Sequence, residues 1–196
     1  NRLTEGLAAR HPLTLISAPA GYGKSTLAVE WLSALTKAKI SWLSLEETDD
    51  EAGRFWLYFL AALRQVEAGF GAEMFAALEA GQVPPVEVLV TNLTNEMQGW
   101  EAVHLLVLDD FQFIQNPTIL DVFNRLLAHQ GQSFHLVILT REDPPLPLAR
   151  LRARGQLTEI RAVDLRFADD EGAYYLREGL GLELSASDVA HLTDRT

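Results

Sequence analysis

Residues 17–26 read SAPAGYGKST and follow directly on the apolar run LTLIS at 13–17. A glycine-bearing turn that leads from a strand into a helix presents consecutive backbone N–H groups at the positive end of the helix dipole, where they converge on phosphate oxygens. Gly21 and Gly23 leave room for close approach of the main chain, Lys24 supplies the cation, and Ser25 offers a hydroxyl to a magnesium ion. The stretch is a phosphate-binding loop with one departure, because Ala18 stands where the motif has its first glycine. One added methyl is nearly harmless at negative φ and costs about 1–2 kcal/mol where the left-handed region is required. The cradling N–H groups lie later, over Ala20, Gly21, Tyr22, Gly23, Lys24, Ser25 and Thr26, and the substitution removes none of them. The core pattern G-x-G-K-[ST] arises by chance in on the order of one chain in a hundred of this size. A strand before it and an amphipathic helix after it leave a stray lysine in a glycine turn as the weaker reading.

Outward from the loop, strand-length apolar runs recur at 40–45 (ISWLSL), 103–108 (VHLLVL), 134–139 (FHLVIL) and, more weakly, 157–161 (LTEIR). Helical periodicity separates them. One stripe is Leu27, Trp31, Leu32 and Leu35, and a second is Phe55, Trp56, Phe59, Leu60 and Leu63. A third, Val86, Leu89, Leu93 and Met97, starts after Pro84 and Pro85 and stops near Gly99; a fourth is Leu120, Phe123 and Leu127. Apolar strands alternating with helices predict an α/β fold, a five-stranded parallel sheet with helices on its faces. Residues 1–166 read as the nucleotide-binding domain. From 167 the text turns helical with no further strand run, and residues 167–196 read as the start of a helical appendage, with Asp169, Asp170 and Glu171 at a helix N-terminus.

Nucleotide-bound magnesium keeps most of its ligands as water and phosphate, so the protein need add only a hydroxyl and one or two carboxylates. The run HLLVLDD ends an apolar strand with Asp109 and Asp110, the form of a Walker B motif. Asp109 is then the metal-side acid with Ser25, and Asp110 the group that orients or deprotonates an attacking water. The competing reading is a pair of solvated acids. The next strand run ends in Thr140 and Arg141. With the extra strand beside the loop strand, as in additional-strand P-loop ATPases, Arg141 lies near the γ-phosphate and distinguishes ATP from ADP by charge; otherwise it is a surface arginine paired with Glu142 or Asp143. Arg150, Arg152 and Arg154 read as a solvated basic face or as contacts to nucleotide in a neighbouring subunit. The acidic run EETDDE (46–51) reads as a polar loop, with water positioning or cation binding as the alternative.

Composition narrows the classes. The 196 residues are 48% hydrophobic, enough for one sizeable core, and carry a formal net charge of −11, which argues against a sequence-independent grip on nucleic acid. Absence of cysteine rules out thiolate chemistry and suits a reducing compartment. The apolar runs are too short to span a bilayer, so a cytoplasmic protein with no membrane partner is the expectation. The start at Asn1 and the stop at Thr196 within a helical pattern read as a piece of a longer chain.

Several separated stretches together resemble one family: LISAPAGYGKSTLAVEWL, ISWLSLEETDDEAGRFWLYFLAAL, HLLVLDDFQFI and LTREDPPLPLARLRARGQLTEIRAVDLRF. They are similar to the nucleotide-binding (NB-ARC/NACHT-like) domain of STAND-class signal-transduction ATPases. The branch is that of large bacterial LuxR-type transcriptional activators typified by the maltose-regulon activator. The resemblance implies a switch: ADP-bound and monomeric at rest, exchanging to ATP when a distant sensor region is engaged, self-associating, and reset by slow hydrolysis. It implies DNA binding only through a C-terminal helix-turn-helix domain outside this segment. Two positions depart from the family, Glu46 where an aspartate is usual and Ala168 where Thr or Ser is common. The first weakens any water-positioning role for Glu46. Adenine contacts are expected from a segment preceding Asn1. The alternatives are a P-loop kinase or loader-type ATPase acting on a separate substrate, and a nucleotide-stabilised interaction module in which Asp110 is idle.

Overall fold

The computed structural model describes residues 11–129 and 133–165. Five strands, β1 (Leu13–Ser17), β2 (Lys39–Ser44), β3 (His104–Asp109), β4 (Phe134–Thr140) and β5 (Leu157–Arg161), form one parallel sheet in the order β2-β3-β4-β1-β5. The five expected runs are these strands, displaced by at most one residue at an end. β1 is paired on both sides and every residue of LTLIS is buried, which is why it reads as continuously apolar rather than alternating. The edge strands β2 and β5 are mostly half-buried, and their patterns are correspondingly mixed.

Alternate strand residues supply two cores. Leu13, Leu15, Leu106, Leu108, Leu136 and Ile138 face one side, and Ile16, Leu105, Val107, Val137, Leu139 and Ile160 the other. The second face is covered by α1 (Lys24–Ser33) through Leu27, Ala28, Trp31 and Leu32. The first carries α2 (Ala52–Arg64), α3 (Ala72–Glu79), α4 (Val86–Gln98) and α5 (Pro117–His129), with α6 (Leu148–Ala153) joining through Leu148 and Leu151. The aromatic stripe of α2 is core: Phe55, Trp56 and Phe59 have no exposed surface. Their rings meet Phe123 of α5 at centroid separations of 5.7, 5.7 and 6.0 Å, mostly edge to face, the arrangement the ring quadrupoles favour. Helices α3 and α6 have no counterpart in the expected elements. With eight and six residues they offer too few turns for a periodic stripe to emerge.

The acidic run is joinery rather than open loop. Asp49, 2% exposed, accepts from Arg54 Nε (2.7 Å) and from the backbone N–H of Glu46 (2.9 Å). Glu46 in turn accepts from Arg54 Nη2 (2.7 Å). Asp50 Oδ1 accepts from the backbone N–H groups of Gln115 and Asn116, both at 2.7 Å, which latches the chain after β2 to the chain after β3. Glu51 caps α2 by accepting from Gly53 N and Arg54 N. The expected boundary at 166, the appendage beyond it and the departure at Ala168 lie outside the described residues.

Candidate nucleotide-binding site

Because all five strands are parallel, the loops after β1, β3 and β4 emerge at one end of the sheet, where ligands of such sheets bind. β4 lies directly beside β1, with Ser17 opposite Thr140 and Ala18 N–H donating to Thr140 O at 3.2 Å. The glycine loop therefore starts next to Arg141, and the end of β3 is one strand further on.

The loop owes its shape to two glycines with positive φ, Gly21 at 85° and Gly23 at 73°. A Cβ on either would meet nothing within 4 Å, so backbone conformation rather than crowding calls for glycine there. Gly23 is the N-cap of α1, with no side-chain bond to the first-turn N–H groups, which leaves those donors for a ligand. Lys24 is 8% exposed and its ammonium donates to the carbonyls of Ala18 (2.9 Å) and Pro19 (3.1 Å). Burial pushes the lysine below its ordinary value; Asp110 opposes this, Arg141 adds to it and Asp109 opposes it.

Opposite the loop, the Ser25 hydroxyl donates to Asp109 Oδ2 at 2.9 Å. The other carboxylate oxygen of Asp109 accepts from the N–H of Asp110 at 3.0 Å. Asp110 takes φ 56° and ψ 41°, alone among the described non-glycine residues in having positive φ. Its Oδ1 accepts from Gln112 Nε2 at 2.7 Å and lies 3.6 Å from Arg141 Nη2. Gln112 Oε1 accepts from the backbone N–H of Arg141 at 3.2 Å. Lys24, Ser25, Asp109, Asp110 and Arg141 thus come together from three loops, with Ala20 to Thr26 forming the turn and the first residues of α1. Gln112 joins them and was not singled out by any sequence signal.

The other candidates go elsewhere. Asp143 pairs with Arg161 rather than Arg141. Arg152 makes a two-pronged bond to Glu159 at 2.7 and 2.8 Å, while Arg150 and Arg154 are exposed on and just after α6. Glu46 is committed to Arg54.

The residues present suit nucleotide and magnesium. A hydroxyl and a carboxylate in mutual contact are hard oxygen donors of the kind that complete a magnesium shell built mainly from water and phosphate. With one hydroxyl and one carboxylate as protein ligands, the ion would draw the rest of its shell from phosphate and water. Bound there, it would neutralise and polarise phosphate oxygens.

A parallel sheet in this order, with a glycine loop after β1 and an acid pair after β3, defines a P-loop NTPase domain of the additional-strand class. The fold is similar to the Aeropyrum pernix ORC1 protein, solved in complex with DNA, with a TM-score of 0.55 at 17% identity over 92% of this chain and 47% of that one. No family model matches the chain. Over 182 residues, 93% of its length, it is 36% identical to the HTH-type transcriptional regulator MalT of Klebsiella pneumoniae subsp. pneumoniae. The chain belongs to the MalT-like branch of the STAND-class ATPases, as a nucleotide-binding domain. It spans 20% of that relative's length. Among the described residues no helix is long and apolar enough to cross a membrane.

Proposed function

We propose that the domain is an ATP/ADP switch in a multidomain, signal-responsive transcriptional activator, with slow ATP turnover returning it to rest. The observation that carries this reading is the contact between Arg141 at the end of β4 and Asp110 after β3, 3.6 Å apart, with both charges acting on Lys24 of the glycine loop. An arginine so placed meets a third phosphate if there is one and the acid if there is not. A switch needs only such a difference in affinity between two states.

On this reading the N–H groups from Ala20 to Thr26 and the ammonium of Lys24 hold the phosphates. Lys24 exchanges its two carbonyl partners for phosphate oxygens. Ser25 and Asp109 face the magnesium ion. Asp110 orients the attacking water or takes its proton, and Arg141 reports the γ-phosphate. DNA binding through a separate domain extends the proposal to the longer protein because the relative is an HTH-type transcriptional regulator, and self-association with ATP bound extends it on the family resemblance alone. A kinase would want a mobile basic lid, and the bond from Arg152 to Glu159 of β5 counts against one in the 150–154 segment.

The test compares ATP and ADP affinity in the purified protein. Lys24→Ala abolishes measurable binding of both nucleotides, and wild-type affinity in that variant would refute the phosphate-loop assignment. Arg141→Ala narrows the preference between ATP and ADP while leaving ADP affinity almost intact; a large loss of ADP binding would show that Arg141 does not sense the third phosphate.

A further inference from the structure

We infer that Gln112 is a positioning residue that ties the carboxylate of Asp110 to the main chain of Arg141, so that nucleotide discrimination depends on its amide. The inference rests on the switch reading above and deepens it.

Gln112 lies in a single 3-10 turn, Phe111–Phe113, entered through the left-handed backbone of Asp110. The turn is pinned from below by Phe111 and Ile114, neither with any exposed surface, and Phe111 meets Phe123 edge to face at 5.8 Å. The amide is thereby held at the level of the acid pair. It spans two strand ends with opposite polarity, donating from Nε2 to Asp110 Oδ1 and accepting at Oε1 from the Arg141 N–H. Only one orientation of the amide satisfies both partners, which fixes the assignment of its oxygen and nitrogen. A glutamate has no donor for Asp110, and an alanine spans neither.

The guanidinium of Arg141 is about half exposed and sits beyond hydrogen-bonding distance of Asp110. Such a contact is weak and easily exchanged for phosphate. The hydrogen bond from Gln112, at 2.7 Å, is the shorter of the two contacts on Oδ1 and does not have to break when the guanidinium turns away. Without it, Asp110 is free to close on Arg141 and compete with the third phosphate, while the end of β4 loses an anchor.

The experiment measures ATP and ADP dissociation constants in wild type, Gln112→Ala, Arg141→Ala and the double variant. Gln112→Ala is expected to weaken ATP about fivefold, the worth of one ordinary hydrogen bond, with ADP within about twofold. In the Arg141→Ala background the same substitution leaves the ATP-to-ADP ratio unchanged. Gln112→Asn, one methylene too short to reach both partners, behaves like Gln112→Ala and provides a second, better-tolerated variant. An additive effect in the double variant, a wild-type ratio in both Gln112 variants, or a loss of ADP affinity equal to that of ATP overturns the inference. If Arg141→Ala narrows the ratio and the Gln112 variants do not, only this inference falls. If wild type binds neither nucleotide, or Arg141→Ala changes nothing, the switch reading falls and takes this inference with it.

Discussion

Ala18 shows how a single position in a motif can depart from pattern without loss of the motif's chemistry. Its methyl is buried, 2% exposed, and its backbone is not among those with positive φ, whereas Gly21 and Gly23 are. The glycine usual at this position is therefore dispensable here, and the two later ones are not. Ala18→Gly should lower stability by about 1–2 kcal/mol, from the lost methyl burial and a freer unfolded chain. Nucleotide affinity should stay within about twofold, because no cradling N–H moves. Chemical denaturation together with nucleotide titration checks both parts; a marked gain in affinity would mean that the methyl obstructs the loop. The same contrast marks what could be read from sequence at this scale. Lys24 and Ser25 follow from spacing, because a strand, a glycine turn and a helix place them with little freedom, and Asp109 follows from its place at the end of an apolar strand run. Gln112 does not, since an amide bridging two loops leaves no periodic trace, and neither does the left-handed backbone of Asp110.

Among the elements, the strands were legible to within a residue, because a sheet covered on both faces needs unbroken apolar runs of a fixed length. The short helices α3 and α6 were not, and the acidic run read only as a polar loop although Asp49 and Asp50 are spoken for. Charged residues reveal their partners only when the fold brings them together. β5 is the clearest case: a half-buried edge strand fastened by charge. Glu159 receives Arg152 and Arg161, and Arg161 also holds Asp143 on the segment after β4. The hydrogen bond from Arg152, opposed by burial and helped by Arg161, pulls the Glu159 carboxyl from 4.5 to about 2. A carboxyl lowered on folding stabilises the native state fully above its unfolded value and loses that contribution as pH falls from about 4.5 towards 2. Its arginine partners are 53% and 31% exposed, so solvent screening reduces the contribution to about 1 kcal/mol. Glu159→Gln should be less stable than wild type by that amount at pH 7, with the gap closing as pH drops below 4.5. Urea melts across that range follow it, and a gap independent of pH would mean that packing rather than charge fastens the strand.

For the molecule as a whole, the strand order matters more than any one residue, because it brings β1 beside β4 and one strand away from β3 and so gathers three loop ends into one site. A ligand held by all three clamps the sheet along its centre and acts on global stability. One that binds only the folded state at a hundred times its dissociation constant adds about 2.7 kcal/mol. For a domain of this size each kcal/mol raises Tm by about 2–4 °C, which gives about 5–11 °C. Mg-ADP should therefore produce a rise of that order in a thermal melt of the wild type, and none in Lys24→Ala, where the cation behind the phosphates is gone. Hydrogen exchange should show the added protection at the ends of β1, β3 and β4 rather than at the opposite ends of the same strands. A shift that survives Lys24→Ala, or protection centred away from Ser17, Asp109 and Thr140, would place the ligand somewhere other than the glycine loop. Protection confined to the loop after β1 would instead mean that the acid pair and Arg141 stand by without engaging the nucleotide, leaving a binding module in place of a switch.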